Sequence, residues 1–382
     1  MSSLPGEPDA APGTDAPSGL ARASVLLASG TFVSRILGFG SALVLAFALG
    51  TENSGANTFA LANQLPNNVY AIIAGGLLSA VLVPQIVRAG LHADGGQTFI
   101  NKLVTLGVVV FLAVAVLATA CAPLLVAAYG QLAHGLSPQE AALATAFAYW
   151  CLPQILFYAL YSLLGEVLNA RRVFGPFTWA PVVNNVIAIA GILVFALMFG
   201  VSPAHDGAAS WTPAMIALIG GSATLGVAGQ AVILLVFWRR TGLTYRPDFR
   251  WRGVGLGRTG KAAAWVFGMI LINQLAGLIE TNVTLNAGAD NPSVFVLKNA
   301  WLIFMLPHSI VTVSIGTAYF TRMSAHARDG ELASVRDDLA TSLRAILLII
   351  VFAAVGLAVL AYPFSALFAN SFDNVQGMGN VV

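Results

Sequence analysis

Residues 103–130, LVTLGVVVFLAVAVLATACAPLLVAAYG, form a continuous apolar stretch without a charged side chain. A helix needs about 20 consecutive apolar residues to cross the hydrocarbon core of a bilayer, and this stretch is longer. A helix in a soluble protein would instead combine an apolar face with a charged one. The stretch therefore predicts a membrane-spanning helix.

The same pattern recurs along the whole chain, which is 58% hydrophobic and only 9% charged. A soluble domain carries about 25% charged residues, so the composition predicts an all-α polytopic membrane protein. Cys121 and Cys151 fall within apolar segments and are interpreted as small core residues. The nine predicted spans are residues 23–49, 58–87, 102–130, 143–168, 178–200, 211–238, 261–287, 294–320 and 338–369.

The positive charges occupy alternate loops between these spans. Of the 18 Lys and Arg residues, all but two lie in or beside the N-terminal segment and every second loop. Cytoplasmic loops retain positive charge, so the N-terminus is predicted to be cytoplasmic. The two exceptions are Arg35, inside the first span, and Lys298, at the outer end of the eighth. Charges at membrane depth are costly and mark functional sites, so these two are the first candidates.

The sequence divides into five regions by composition. Residues 1–21 are rich in Pro, Gly, Ala and Ser and are expected to be a disordered cytoplasmic tail. Residues 22–240 hold six spans, 261–369 hold three, and 370–382 form a polar end. Because an odd number of spans ends in this polar stub, we expect the chain to stop short of a longer protein.

Residues 241–260 mix arginine with aromatic side chains. This composition suits an amphipathic cytoplasmic segment on the anionic inner leaflet, which would make anionic lipids a partner. The same mixture is typical of nucleic-acid binding. Because this segment connects two membrane-spanning helices, membrane binding is the favoured interpretation, and no nucleic-acid partner is expected.

The second span carries a line of side-chain amides. Asn53, Asn57, Gln64 and Asn68 are spaced so that they share one helical face, and Pro66 and a pair of glycines are expected to interrupt the helix. Amides without partners are costly in hydrocarbon, so this face must look into the bundle or into a wet cavity. Hydrogen bonding between neighbouring helices is the alternative.

Arg35 lies about 18 Å into the first span, at 1.5 Å per residue, which is near the middle of the membrane. A guanidinium there needs an anion, carbonyl groups or water, and the structural alternatives are Glu166 and Glu280. Lys298 could extend to the headgroups or pair with Glu280. Glu280 could instead bind a coupling cation.

The chain contains no string that resembles a nucleotide-binding loop, a zinc-protease helix or a nucleophile elbow. Energy from bound ATP is therefore not indicated, and an enzyme is possible only through scattered residues. The sequence predicts no metal site and no cofactor.

Six short strings stand out along the chain. They are Ser34-Arg35-Ile36-Leu37-Gly38-Phe39, Leu65-Pro66-Asn67, Val83-Pro84, Leu152-Pro153-Gln154-Ile155, Ala180-Pro181 and Ala300-Trp301-Leu302-Ile303-Phe304. In their order and spacing they resemble the MurJ (MviN) family of lipid II flippases, and the last string is similar to its actinobacterial branch. The resemblance extends over residues 22–369.

The resemblance implies the fold of the multidrug/oligosaccharidyl-lipid/polysaccharide (MOP) exporters, which is also that of the MATE transporters. Two six-helix lobes form a V around a central cavity, with residues 22–240 as the N-lobe and 261–369 as part of the C-lobe. It further implies a flippase that moves lipid II from the inner to the outer leaflet by alternating access, in a bacterial cytoplasmic membrane. A membrane potential or an ion gradient would drive it.

The resemblance also implies roles for individual residues. Arg35 matches the arginine of the family's first helix and would pair with the pyrophosphate of the cargo, together with Lys298. Asn57, Gln64 and Asn68 would hydrogen-bond its sugar or peptide.

The chain departs from the family at three positions. Ser41 and Leu302 stand where members carry arginine, and Asn57 stands where they carry an acidic residue. Lys298 lies one turn before Leu302 and could supply the missing charge. Two other functions remain open: export of another polyprenyl-linked glycan or a drug, and a non-transporting scaffold that recruits cell-wall synthesis proteins.

Overall fold

The computed structural model describes residues 16–77, 86, 89, 94–130, 136–171, 173, 175–250, 260–286 and 293–368. The predicted N-terminal tail up to residue 15, the polar end 370–382, Val83-Pro84 and most of the basic loop beyond Arg250 lie outside these residues. Twelve α-helices make up nearly all of the described chain. They are α1 Ala16–Leu49, α2 Ser54–Leu77, α3 Gln97–Ala120, α4 Ala122–Gly130, α5 Pro138–Cys151, α6 Gln154–Ala170, α7 Gly175–Phe199, α8 Pro213–Trp238, α9 Gly260–Leu285, α10 Val294–Pro307, α11 Val313–Arg328 and α12 Leu332–Ser365.

Three of the nine predicted spans are broken into two helices. The breaks lie before Pro123, at Pro153, and after Pro307, where residues His308–Thr312 form a π-helical turn. Proline has no N–H to continue the helical hydrogen bonds, which explains all three positions. The expected interruption of α2 was wrong, because this helix runs unbroken through Pro66 and the following glycines.

Six helical segments among the described residues are long and apolar enough to cross a membrane, judged by length and composition. They are Ser29–Leu49, Gln97–Ala120, Pro138–Ala170, Gly175–Phe199, Pro213–Thr241 and Leu332–Ser365. The other three predicted spans correspond to α2, α9 and the α10–α11 pair. These helices carry most of the polar residues that were predicted to bind the cargo or an ion, and these side chains lower the mean hydropathy of the helices.

The helices form two halves. In the first half, α7 packs against α1 and α8, α6 against α3 and α8, and α2 against α5 and α6. Small residues allow the closest approach: a Cβ added at Gly191 would lie 2.2 Å from the Cβ of Ser222 on α8. In the second half α11 packs against α12. The halves meet where α2 contacts α9 and α10 and where α1 contacts α10.

Loops join the helices at two ends of the bundle. The first, which we call the capped end, holds the turn between α1 and α2, the start of α5 and the loop before α8. There Asn53 donates to the Asp206 carboxylate at 3.1 Å and Ser54 donates to Glu140 at 2.8 Å. At the second, the basic end, the Arg171 guanidinium donates to the carbonyl of Gly95. Residues 243–250, the strap, lie at the basic end and run extended along α3.

Candidate functional site

Asn53 caps the start of α2. Its side-chain oxygen accepts from the N–H of Ala56 at 2.8 Å, one of the donors that a helix start leaves unpaired. Its nitrogen donates to the carbonyl of Leu49 at 2.7 Å and to Asp206. Asn53 therefore binds α2 to the end of α1 and to the loop before α8.

Asn57 and Lys298 join the two halves at the capped end. The N–H of Phe295, in the first turn of α10, donates to the Asn57 side-chain oxygen at 3.1 Å. Helix starts leave such N–H groups without a helical partner, so the amide satisfies a buried donor. One turn later the Lys298 ammonium donates to the carbonyl of Ala60 at 3.0 Å. Two hydrogen bonds therefore hold α10 against α2.

The remaining amides of α2 differ in their surroundings. Asn63 accepts from the Gln154 amide at 3.2 Å, and Gln154 also donates to Thr224 at 3.1 Å. Asn68 is buried and lies within side-chain hydrogen-bonding reach of Tyr129. Gln64 is partly buried, and its side-chain amide makes no hydrogen bond with any residue that the structure describes. The predicted line of amides therefore serves mainly helix packing, and Gln64 is the member available to a ligand.

Arg35 lies on the face of α1 that is turned towards the second half. Phe39, one turn further along the same face, packs edge-on against Phe364 and Phe368 at the end of α12, with ring centroids 6.3 and 5.5 Å away. The neighbouring face binds α7, since Asn185 donates to the carbonyl of Ser34 at 3.0 Å. Arg35 is partly buried, and its guanidinium forms no hydrogen bond or ion pair within the described ranges.

Arg35 and Lys298 lie at different depths. Arg35 is about 21 Å from Leu49, the last residue of α1, at 1.5 Å per residue. The Ala60 carbonyl that Lys298 contacts is about 9 Å from the start of α2 on the same count. A short turn joins α1 and α2 at the capped end, so the two cations do not form one site in this structure.

Glu280 has an exposed side chain on α9. No ion pair links it to Lys298 or Arg35 among the residues described, and Glu166 likewise pairs with neither cation. Cation binding by Glu280 stays a prediction. The described part of the chain contains no group of three or more His, Cys, Asp or Glu side chains that could hold a metal ion.

Glu52 lies in the turn between α1 and α2. Burial raises the pKa of its carboxyl above the usual range. Its Oε1 atom is buried and has no hydrogen-bond partner in the described structure. The capped end therefore contains a carboxyl group that is harder to ionise than a solvent-exposed one.

A comparison with family sequence models matches residues 45–375 to the family described as lipid II flippase MurJ. The chain belongs to this family. It is a multi-pass membrane protein, and its fold is that of the MOP exporters, as the resemblance implied.

Curated relatives support the assignment. The probable lipid II flippase MurJ of Haemophilus influenzae is 27% identical over 348 residues, which cover 87% of this chain and 65% of the relative. That of Rickettsia prowazekii is 23% identical over 357 residues, covering 91% of this chain and 65% of the relative. The chain thus spans about two thirds of the length of these relatives.

Solved structures show the same fold. A lipid II flippase MurJ in an inward closed conformation superposes with a TM-score of 0.68 at 18% identity, over 93% of this chain and 70% of the other. An inward-facing MATE multidrug transporter of the MOP superfamily gives a TM-score of 0.65 at 15% identity, over 91% and 75%.

Sequence reasoning missed two buried amide side chains, one on α6 and one on α10. Gln154 is fully buried with an unpaired Oε1, and Asn299 is buried with an unpaired Nδ2, in the structure as described. Two features of the sequence could have indicated them: a glutamine directly after Pro153 in an apolar span, and an asparagine next to Lys298.

Proposed function

We propose that the protein translocates lipid II from the inner to the outer leaflet of a bacterial cytoplasmic membrane by alternating access. The observation that carries this proposal is Arg35. A guanidinium near the middle of an apolar helix, partly buried and without a partner among the described residues, is arranged to bind an anion. A pyrophosphate-linked glycolipid supplies such an anion at that depth, and the family to which the chain belongs supports this cargo.

Arg35 would form paired hydrogen bonds with the pyrophosphate, because its planar guanidinium matches two phosphate oxygens at once. Gln64 has an unpaired amide in the described structure and would contact the sugar or the peptide. Asn57 and Asn68 have protein partners in this arrangement. They would reach the cargo only after the halves rearrange.

Lys298 would act at a different stage from Arg35. Its bond to Ala60 and the neighbouring bond between Phe295 and Asn57 hold the halves together at the capped end. The positive charges of the basic end favour a cytoplasmic position for that end, so the capped end would face outwards. Breaking these bonds would open the outer side, and the freed ammonium would then meet the pyrophosphate as it leaves.

A membrane potential or an ion gradient would drive the cycle, with Glu280 as a candidate for the coupling cation. Anionic lipids of the inner leaflet and cell-wall synthesis proteins are proposed partners, and the exposed arginines of the basic end support the lipid contact.

The test is depletion of the protein in cells, complementation with wild type or with Arg35→Ala, and measurement of lipid II exposed at the outer leaflet. Loss of export with Arg35→Ala at normal protein level is the expected result. Normal lipid II export without the protein would favour a different polyprenyl-linked glycan or a drug as cargo. Normal export with the variant would remove Arg35 from the mechanism.

A further inference from the structure

An apolar cavity of about 550 Å³ lies at the basic end of the first half. Its walls come from α3, α6 and α8, and residues 243–245 of the strap close one side. The proposed transport cycle makes no use of this cavity. Val232 and Trp238 of α8 line it, as does Arg239, which directly follows α8.

The strap is a fixed wall of the cavity. Three polar side chains on α3, spaced four residues apart, accept hydrogen bonds from every second backbone N–H of the strap. Four helical residues rise about 6.0 Å and two extended residues about 6.6 Å. The spacing of the acceptors along α3 therefore matches the spacing of the donors along the strap. The bonds are Thr244 to Gln97 at 3.0 Å, Arg246 to Asn101 at 3.2 Å and Asp248 to Thr105 at 3.1 Å.

The mouth of the cavity is cationic. Arg239 lines it with an exposed side chain, and Arg240 and Arg246 are exposed beside it. The one acidic side chain of the strap, Asp248, is paired with Arg250 at 3.3 Å. An apolar cavity with an arginine rim fits a molecule that has an apolar chain and an anionic head.

Trp238 forms part of the apolar wall. It lines the cavity and is only 7% exposed. Its indole nitrogen is buried and does not face the open part of the cavity, so the ring contributes apolar surface beneath the arginine rim.

We propose that this cavity binds one acyl chain of an anionic phospholipid. The phosphate pairs with Arg239, and the acyl chain packs against Trp238 and the other apolar lining residues. The lining residues from Ala231 of α8 to Arg239, directly after α8, extend over about 12 Å, so the chain enters to that depth while the head stays at the membrane surface. The basic end faces the cytoplasmic leaflet, where anionic lipids are concentrated.

The experiment measures tryptophan fluorescence of the purified protein in phospholipid bilayers. Phosphatidylglycerol with brominated chains is compared with phosphatidylcholine with the same chains, because bromine quenches a tryptophan that it contacts. Subtracting the signal of a Trp238→Phe variant isolates Trp238. We expect phosphatidylglycerol to quench Trp238 more strongly than phosphatidylcholine does.

Two matched pairs of variants separate the site from a general surface effect. Val232→Phe narrows the cavity and should abolish the difference between the lipids, whereas Val236→Phe, one turn further on an exposed position outside the cavity, should not. Arg239→Gln should lower the affinity for phosphatidylglycerol about fivefold. Arg240→Gln should have a smaller effect, because Arg240 is stacked on Phe237 and does not line the cavity.

Equal quenching by both lipids in the wild type would overturn the proposal. Equal effects of Arg239→Gln and Arg240→Gln would also overturn it, because they would indicate attraction by the surface charge as a whole. The readout does not involve transport, so a negative result leaves the proposed flippase function untouched.

Discussion

Arg35 and Lys298 are both cations inside apolar helices, and the structure places them in opposite situations. Lys298 is near the capped end and donates to the carbonyl of Ala60. Arg35 is near mid-membrane and has no partner among the described residues. The difference indicates that one charge holds the halves together and the other is available to a ligand. The following predictions test that distinction.

The largest effect is expected for Arg35. Replacing it with alanine removes the proposed charge-assisted pair with the cargo, which would be worth about 1.5–3 kcal/mol and would correspond to a roughly 10- to 150-fold loss of lipid II export. Arg35→Lys should retain part of the activity, because an ammonium keeps the charge but loses the paired geometry. Arg336→Ala, at an exposed position on α12, is the control and should export normally. A strong loss in that control would mean that export depends on charge in general.

Lys298→Met should weaken closure of the capped end. In a Cys121→Ser background, the buried Cys151 should then react about tenfold faster with a maleimide, as expected for loss of one charge-assisted hydrogen bond. Lys298 lies close enough to Cys151 for the two side chains to interact electrostatically. Losing that cation by itself makes the thiol less reactive, so a faster reaction reports opening. Lys102→Met at the basic end is the matched control. An unchanged Cys151 rate in Lys298→Met would contradict the role of the lysine in closure.

Asn57→Ala and Gln64→Ala should separate packing from ligand binding. Asn57→Ala leaves the N–H of Phe295 buried without its acceptor, which costs about 1–3 kcal/mol and should lower the thermal unfolding temperature. Gln64→Ala breaks no described hydrogen bond and should leave that temperature unchanged while export falls. If Gln64→Ala lowered the unfolding temperature and Asn57→Ala did not, Gln64 would be the packing residue and Asn57 the one available to a ligand.

The smallest effect concerns Glu52. Burial raises the pKa of its carboxyl above the usual 4.5, so the folded state binds the proton more tightly than the unfolded state. Its contribution to stability is full below pH 4.5 and is lost as the pH rises through the folded pKa. Glu52→Gln should therefore unfold at a higher temperature than wild type at neutral pH. The unfolding temperatures of the two proteins should become equal at acidic pH. A difference in unfolding temperature that is the same at all pH values would show that the charge of Glu52 is not its cause.

Much of the site could be anticipated from the sequence, for reasons that are local. The apolar lengths identify the helices, and the position of Arg35 places it at membrane depth regardless of its neighbours. The breaks at Pro153 and Pro307 were not predicted, since residues 143–168 and 294–320 were each expected to form one continuous span. The continuity of α2 through Pro66 did not follow, because the packing of neighbouring helices decides whether a proline breaks a helix in an apolar environment.

The sequence by itself determined the membrane class, the family, and which two cations break the charge pattern, since these depend on composition and spacing. Only the tertiary structure decided that Asn57 binds the start of α10, that Lys298 binds α2, and that Gln64 is left without a described partner. It also decided that the strap encloses an apolar cavity. These features depend on which groups from distant parts of the chain meet within hydrogen-bonding distance, and spacing along one helix carries no information about that.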